Sequence, residues 1–476
     1  MPANNSGIQS IHPEPGTQFA RRSLLLIAGN FIKLAVQLAV IYIYSRNLPV
    51  PDYGRYQSVW LYTSVFSVIS LFGLPAILLS AAASDIRKWM DANKKLLAGL
   101  LALLVLVPFA WILSLNEQFT LQDRLLLCSL ILLQNCSIIT ETLAIKNEKE
   151  ARVLLVNIIF NAGYLLAHLW VLQQYQFSLT SLLIYLNALL FVKSLLFIAG
   201  KNRRRISSEQ HVPAILSGRQ WLYLGLYDII AVLFKWIDKW IILVFISLNE
   251  FAIYFNGSYE IPLFIMLSGA VGNIIVVELA KLKTINAALA VQLFRRSSIF
   301  LSSLILPAFC FLVFFNREFF LFIFSNKYEA AIPVFFASIF IIPVRIINHT
   351  AALQVYHKNN IILSGALIDL LLAIIFLAIL YPIFGLPGVA LAFVLSTYVQ
   401  AAYYLKQTSS LLKVSVLKLH PFRMMGWICI ISLTAMAVCY FVCRNLTDVY
   451  SLGAGLLCSA MLAGSFFLFF YKRKFF

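Results

Sequence analysis

Charge is scarce in this 476-residue chain: Asp, Glu, Lys and Arg together make up 12% of it. Soluble proteins carry about 25%, so an ordinary hydrated surface cannot be built from this composition. Polar stretches are short too, and none is long enough to fold as a separate soluble domain. The residues for several chemistries are missing. There is no GxxxxGK[ST] phosphate loop, no HExxH pair and no GxSxG nucleophile elbow. Gly200-Lys201 lacks both the upstream glycine and the following Ser or Thr of a phosphate loop. The seven cysteines, at 128, 136, 310, 429, 439, 443 and 458, lie inside apolar runs with no CxxC spacing. They read as small buried hydrophobes rather than as a disulfide framework or a metal site. On these grounds no catalytic residue, metal or cofactor is expected; a coupling ion, H+ or Na+, is left open.

What the chain has in quantity is hydrophobe, 61% of all residues, with a mean hydropathy of +0.88. A helix needs roughly 20 apolar residues to cross the ~30 Å hydrocarbon core. Fourteen such runs occur, at 23–45, 57–82, 96–115, 125–145, 152–172, 179–199, 220–247, 251–277, 298–315, 330–356, 361–381, 386–406, 423–442 and 450–471. The expected fold is an all-α polytopic membrane protein of about 14 transmembrane helices. Lys and Arg alternate across the loops. One set of loops and ends carries 26 of the 37: 21–22, 87–95, 146–152, 201–219, 281–296, 358, 406–423 and 472–474. The opposite set holds Arg46, Arg55, Arg124, Arg317, Lys327 and Arg444. Short loops rich in Lys and Arg stay in the cytoplasm, which places both termini inside. The net charge of +18 is then a topological signal with some attraction to anionic membrane lipids, and no nucleic-acid partner is expected.

The remaining five cations, Lys33, Lys193, Lys235, Lys239 and Arg345, lie within apolar runs. An ionisable group at the bilayer centre costs about 2.5–3.5 kcal/mol on insertion scales, so it usually faces a cavity or a partner. In the first span Asn30, Lys33, Gln37 and Tyr44 fall on one helical face. Lys33 lies about ten residues in, roughly 15 Å deep, whereas the one acid of the first six spans, Glu141, sits near a cytoplasmic end. The second span offers Gln57, Trp60, Ser64 and Ser67, and the fifth Asn157, Asn161, Tyr164 and His168. Stripes of this kind glue helices together or line a wet lumen, and their recurrence favours a lumen. Lys193 is within two turns of a cytoplasmic end and reads as a lysine reaching out to the interface.

The seventh span is the most charged, with Asp228, Lys235, Asp238 and Lys239 nearly on one face. Counting depth along antiparallel helices pairs Lys239 with Glu260 in the eighth span, and Lys235 with Asp238 within the seventh. In the tenth span Arg345, Asn348 and His349 share a face, and Asp369 in the eleventh matches His349 in depth. The deep charges are thus Lys33, Lys235, Lys239 and Arg345 against Asp238, Glu260 and Asp369. This slight cationic surplus suits a phosphate or pyrophosphate, which Lys and Arg bind by charge-assisted hydrogen bonds.

The polar stretch 200–219 splits the chain after six spans. The hairpins that open the two halves echo each other: Asp52-Tyr53-Gly54-Arg55-Tyr56 against Glu250-Phe251-Ala252-Ile253-Tyr254. Both begin on the outer side, a parallel repeat, and secondary transporters commonly place their substrate site between such repeats. The expected division is a polar cytoplasmic N-terminus at 1–20, an N-lobe of spans 1–6 at 21–199, a basic cytoplasmic linker at 200–219, a C-lobe of spans 7–12 at 220–410 and a C-terminal helix pair at 411–476.

Three segments carry a resemblance. Arg46-Asn47-Leu48-Pro49-Val50-Pro51-Asp52-Tyr53-Gly54-Arg55-Tyr56, followed by Phe72-Gly73-Leu74, resembles the first hairpin of the polysaccharide and O-antigen flippases within the multidrug/oligosaccharidyl-lipid/polysaccharide exporter superfamily. Asp238-Lys239-Trp240-Ile241-Ile242-Leu243 resembles their seventh helix, and Pro382-Ile383-Phe384-Gly385-Leu386-Pro387-Gly388-Val389-Ala390 the approach to their twelfth. The similarity extends from about residue 20 to 410; Pro49 and Pro51 depart from the family's glycine region. The resemblance implies two six-helix lobes around a central cavity that opens alternately to each side, plus two C-terminal helices, in a bacterial inner membrane. It implies a polyprenyl-diphosphate-linked glycan as cargo, with membrane lipids and other polysaccharide assembly proteins as partners. Lys33 and Arg345 would contact phosphate first, then Lys235 and Lys239. Asp238, Glu260 and Asp369 would tune those cations or serve as coupling sites, and Tyr44 and Trp60 would stack on sugar faces. The rivals are a cation-coupled multidrug exporter, a peptidoglycan lipid flippase and a membrane-embedded glycosyltransferase, the last disfavoured by the absence of a large loop with catalytic acids.

Overall fold

The computed structural model describes residues 15–80, 91, 93–147, 149–174, 177–199, 218–280, 287–347, 350–356 and 358–473. All regular structure among them is helical. In order the helices are α1 (Pro15–Asn47), α2 (Val50–Leu71), α3 (Leu74–Ser80), α4 (Lys94–Ser114), α5 (Leu121–Lys146), α6 (Glu150–Leu172), α7 (Leu179–Ala199), α8 (Gly218–Phe245), α9 (Leu248–Gly257), α10 (Pro262–Ala280), α11 (Ala287–Phe314) and α12 (Asn316–Phe324). There follow α13 (Ile332–Ile339), α14 (Ala351–Val355), α15 (Asn359–Phe384), α16 (Leu386–Leu412), α17 (Val416–Leu419), α18 (Phe422–Cys443) and α19 (Asp448–Lys472), with 3-10 turns at Asn326–Ala331 and Ile342–Ile346. Helical structure runs through the described parts of the fourteen apolar stretches. Nine helical segments among the described residues are long and apolar enough to cross a bilayer, and ten if α9 and α10 form one bent span. Large apolar side chains such as Trp170, Leu371 and Val442 stand 59%, 59% and 73% exposed. That costs little against lipid, and helices satisfy their own backbone polar groups there. The chain is a multi-pass membrane protein.

Two spans that periodicity makes continuous are broken. The eighth divides into α9 and α10, bent by 51°, because Pro262 lacks a backbone donor and opens a new helix. The tenth, expected as one run over 330–356, is a 3-10 turn, the two-turn helix α13, a second 3-10 turn and α14. Pro333 and Pro343 occupy the first positions of α13 and of the second turn, where a missing N–H is harmless, but each ends what precedes it. Glu260 and Arg345 therefore sit in irregular backbone rather than on helical faces.

The chain divides into two compact units, one comprising residues up to Val40 and Phe66–Asp228, the other Ile41–Val65 and everything from Ile229 on. In the first, α5 packs along α7, with α6 beside it. The start of α5 is fixed by a capping box between Thr120 and Asp123, and the buried Asp123 carboxylate also accepts the Thr180 hydroxyl at 2.5 Å. In the second, α15 and α16 form a tight hairpin, and α18 and α19 lie along α11. The hairpin turns at Gly385, whose φ of 61° and ψ of −140° define a region that only glycine enters readily.

Candidate functional site

The second unit gathers most of the deep charges. Helix α8 carries Lys235, Asp238 and Lys239. The buried Asp238 carboxylate accepts from Lys239 Nζ at 3.1 Å and from the Tyr254 hydroxyl of α9 at 2.9 Å, both on Oδ2. Its Oδ1 is buried with no hydrogen bond. The Lys239 ammonium lies 5.8 Å from the Trp236 ring and 5.7 Å from that of Tyr254. Lys235 differs. It is exposed, stands 5.3 Å over the Trp236 ring and forms no ion pair with any described carboxylate. Cations in such positions are held weakly by the aromatic face and keep their donors available.

Glu260, in the break between α9 and α10, accepts two bonds from Arg345, from Nε at 2.9 Å and Nη2 at 2.5 Å, both at Oε1. Each side chain is about a third exposed, 34% for Arg345 and 33% for Glu260. Two expected pairings, one from depth and one from spacing within the seventh span, are thereby corrected: Glu260 joins Arg345 rather than Lys239, and Asp238 joins Lys239 rather than Lys235. The counting assumed unbroken helices, and the break before Pro262 re-aims Glu260. Asp369, in α15, is fully buried, and neither carboxylate oxygen has a hydrogen bond. Ser396 of α16 spends its hydroxyl on the Phe393 carbonyl at 3.0 Å. A carboxylate so placed needs a proton or a cation to sit in the membrane interior. No cluster of three or more His, Cys, Asp or Glu arranged for a metal occurs among the described residues.

The other expected residues are dispersed. Lys33 and Gln37 are exposed on α1. Asn161 is buried and donates to the Asn157 carbonyl at 2.7 Å. Tyr44 is fully buried, its ring 4.7 Å from that of Tyr56, and Trp60 meets Tyr56 edge-on at 6.2 Å. In this conformation Tyr44 is packing within an aromatic cluster, not a surface open to a sugar. His349, with Asn348, lies outside the described residues, as does the side chain of Asn30. Lys193, expected to reach for the interface, instead binds Glu141 at 2.9 Å.

One part of the site was not singled out in the sequence. Arg46, at the end of α1, donates to the carbonyls of Phe322 at 2.5 Å and Leu321 at 3.5 Å, near the C-terminus of α12. Lys327 returns the favour, its ammonium donating to the carbonyls of Arg46 at 2.5 Å and Leu48 at 3.3 Å. Each cation thus binds carbonyls at the end of the other's helical segment. Next to them the two sequence-related hairpins meet. A Cβ at Gly54 would lie 2.6 Å from the Leu248 carbonyl oxygen and 3.3 Å from Cβ of Ala252, its counterpart in the repeat. Gln57 Nε2 donates to Asn256 Oδ1 at 2.8 Å in the buried layer beneath. The available signal was that Arg46 and Lys327 are two of only six cations on the sparse side.

No protein-family model matches the sequence, and a search of curated proteins gives no match. Solved structures do match. An inward-closed lipid II flippase MurJ superposes with a TM-score of 0.68 at 14% identity, over 94% of this chain and 99% of that one. A MOP superfamily transporter from Pyrococcus furiosus, described as having a binding pocket of reversed polarity, gives 0.57 at 13% identity, over 87% and 100%. An outward-facing multidrug transporter of the MATE family gives 0.55 at 14%, over 86% and 99%. The chain has the fold of MOP superfamily transporters.

Proposed function

We propose that the protein is a flippase for polyprenyl-diphosphate-linked oligosaccharide repeat units, working by alternating access in a bacterial inner membrane with both termini in the cytoplasm. The fold it shares with the lipid II flippase supports a lipid-linked cargo. The observation that carries the reading is Lys235, an exposed ammonium on the Trp236 face with no described carboxylate bound to it. Beside it stands the Arg345–Glu260 pair, each side chain about a third exposed. A diphosphate entering here meets one free cation at once. It gains a second if Arg345 exchanges the single Glu260 oxygen for phosphate oxygens, which match the guanidinium fork. Lys239 stays held by Asp238. No bond in the cargo is made or broken; the cycle needs only that cargo bind the inward- and outward-open states differently. Displaced Glu260 and buried Asp369 are the acids through which H+ or Na+ would couple, by protonation or by coordination.

A peptidoglycan lipid flippase is the second reading, favoured by a TM-score of 0.68 for the lipid II flippase against 0.55 for the MATE exporter. The two readings share the diphosphate chemistry and differ in the glycan. The deciding experiment is mass spectrometry of polyprenyl-linked oligosaccharides in the native host with the protein present and removed. Build-up of complete repeat units together with loss of surface polysaccharide is expected. Rescue of a strain depleted of lipid II transport would select the second reading, and an unchanged lipid pool with new sensitivity to cationic toxins would select a drug exporter.

A further inference from the structure

The arginine-rich end of the second unit holds a groove that the transport reading does not use. Helix α11, the short helix α17 and the start of α18 enclose a cavity of about 590 Å³ lined by Arg295, Leu417, His420, Arg423, Met424 and Trp427 among others. A second cavity of about 370 Å³ shares Arg295, Pro421 and Met424 with it and adds Arg296. The pair forms one continuous depression with Arg295 common to both parts. Arg295, Arg296 and Arg423 are all exposed, and none is bonded to a carboxylate among the described residues. Three unneutralised guanidinium groups this close together repel one another unless an anion joins them. Helix α18 begins at the groove, and its N-cap, Pro421, provides no side-chain cap, so the positive end of the helix adds to the same field.

Apart from His420 and Gln292 the rest of the lining is apolar, and it is held in place. His420 is buried, its Nδ1 2.7 Å from the Ser298 hydroxyl of α11 and its ring 5.6 Å from that of Phe294. This ties the α17–α18 corner to α11. Trp427, 55% exposed, stands about one turn into α18, and indole rings favour the headgroup region. Arginines at the mouth, a tryptophan at the rim and apolar walls continuing into the hydrocarbon match one ligand in charge and polarity. We infer that this groove binds the phosphodiester of an anionic phospholipid in the leaflet at the arginine-rich end, which the charge distribution assigns to the cytoplasm. Basic pockets between transmembrane helices on that side are known to hold acidic headgroups. The inference rests on membrane embedding alone and not on the identity of the transported cargo.

The test uses the purified full chain, delipidated in neutral detergent, and native mass spectrometry with short-chain phosphatidylglycerol or phosphatidylcholine added. Preferential retention of phosphatidylglycerol is expected, weakening as salt is raised. Each of Arg295→Gln, Arg296→Gln and Arg423→Gln should weaken it about fivefold, and the triple variant on the order of a hundredfold. Arg444→Gln, at the opposite end, should have no effect. Because the three side chains are exposed and unpaired, the variants are expected to elute as wild type does on size exclusion. Salt sensitivity of the wild type supplies an independent readout should the triple variant aggregate. Equal retention of both lipids by the wild type, or full retention of phosphatidylglycerol by the triple variant, would overturn the inference. Displacement of phosphatidylglycerol by farnesyl diphosphate but not by inorganic phosphate would reassign the groove to the isoprenoid cargo.

Discussion

The two units each hold an acid against a lysine, and they do so in opposite ways. In the first, Glu141 uses both oxygens: Oε1 accepts from Asn157 at 2.8 Å and Oε2 from Lys193 at 2.9 Å. The Lys193 ammonium also lies 4.9 Å from the Phe160 ring and 5.9 Å from that of Phe197. Both carboxylate oxygens are thus engaged inside the cluster. In the second unit the account stays open. Asp238 leaves Oδ1 unbonded, Asp369 leaves both oxygens unbonded, and Lys235 is exposed with an aromatic ring for company. Open valences buried in a membrane are costly. They are the groups with capacity left to take up a ligand or a proton. A closed cluster holds helices together, and an open one can change partners.

The sharpest way to break this contrast is to remove a partner from each cluster. Arg345→Ala should abolish transport, a loss of more than about a hundredfold, while insertion into the membrane stays normal. Glu260 is a third exposed and can be hydrated or protonated once its partner is gone. Glue and gate are separated by the companion change Glu260→Gln, which leaves the guanidinium in place and should retain a measurable fraction of transport. If the two rank the other way, or if Arg345→Ala transports normally, Arg345 leaves the mechanism. Glu141→Ala should behave in the opposite manner. It strands Lys193 within the first unit, at a cost of about 3 kcal/mol. The yield of folded protein and its thermal midpoint in detergent should fall, and transport per folded molecule should not. A drop in specific transport with unchanged stability would show the closed cluster to be functional after all.

A smaller effect tests the open cluster without touching any pair. Lys235→Ala removes an exposed ammonium that no described carboxylate binds, so stability should change by less than about 0.5 kcal/mol. Transport should fall about tenfold, consistent with one lost charge-assisted contact to phosphate. Lys235→Arg is expected to restore most of it. Equal transport by Lys235→Ala and wild type would move the phosphate contacts to other cations.

The sequence made the class and the span positions legible because both depend on composition and period, which act locally. Fourteen apolar runs and an alternating Lys/Arg count need no tertiary knowledge. It also singled out the deep charged residues of the second unit, but paired them differently from the structure. Pairing was inferred by counting depth along ideal helices, and the breaks before Pro262 and around Pro333 and Pro343 shift both the depth and the direction of Glu260 and Arg345. Tyr44 illustrates a second limit. Its place on the polar face of α1 is plain from spacing, yet it is fully buried, because a neighbouring hairpin covers that face. Lys193 and Glu141, 52 residues apart, show the third. Snorkelling and pairing look alike until the helices are in place.

The Arg46–Lys327 exchange offers the mildest perturbation, and the one most specific to conformation. Each cation satisfies carbonyls at the end of the other's helical segment, at positions that expose them readily to water. Breaking such bonds therefore replaces protein acceptors with solvent, worth about 0.5 kcal/mol each at exposed positions, and should leave the fold intact. What changes is the balance between states in which the two hairpins are joined at Gly54 and Ala252 and states in which they part. Lys327→Ala removes the donor to both Arg46 and Leu48 without altering the packing of α2 on α9. A cysteine placed at Ser58, buried in this conformation, reports on parting through its reaction with a membrane-impermeant maleimide. With Lys327→Ala the labelling rate should rise about fivefold, the Boltzmann factor for roughly 1 kcal/mol. Arg46→Ala should add to it, since the two cations bind different carbonyls. An Ala at Gly54 should raise labelling further, by forcing its Cβ against the Leu248 carbonyl. Unchanged labelling in all three would mean that the hairpins are joined by the buried Gln57–Asn256 layer alone, and Gln57→Leu would then be the change that opens them.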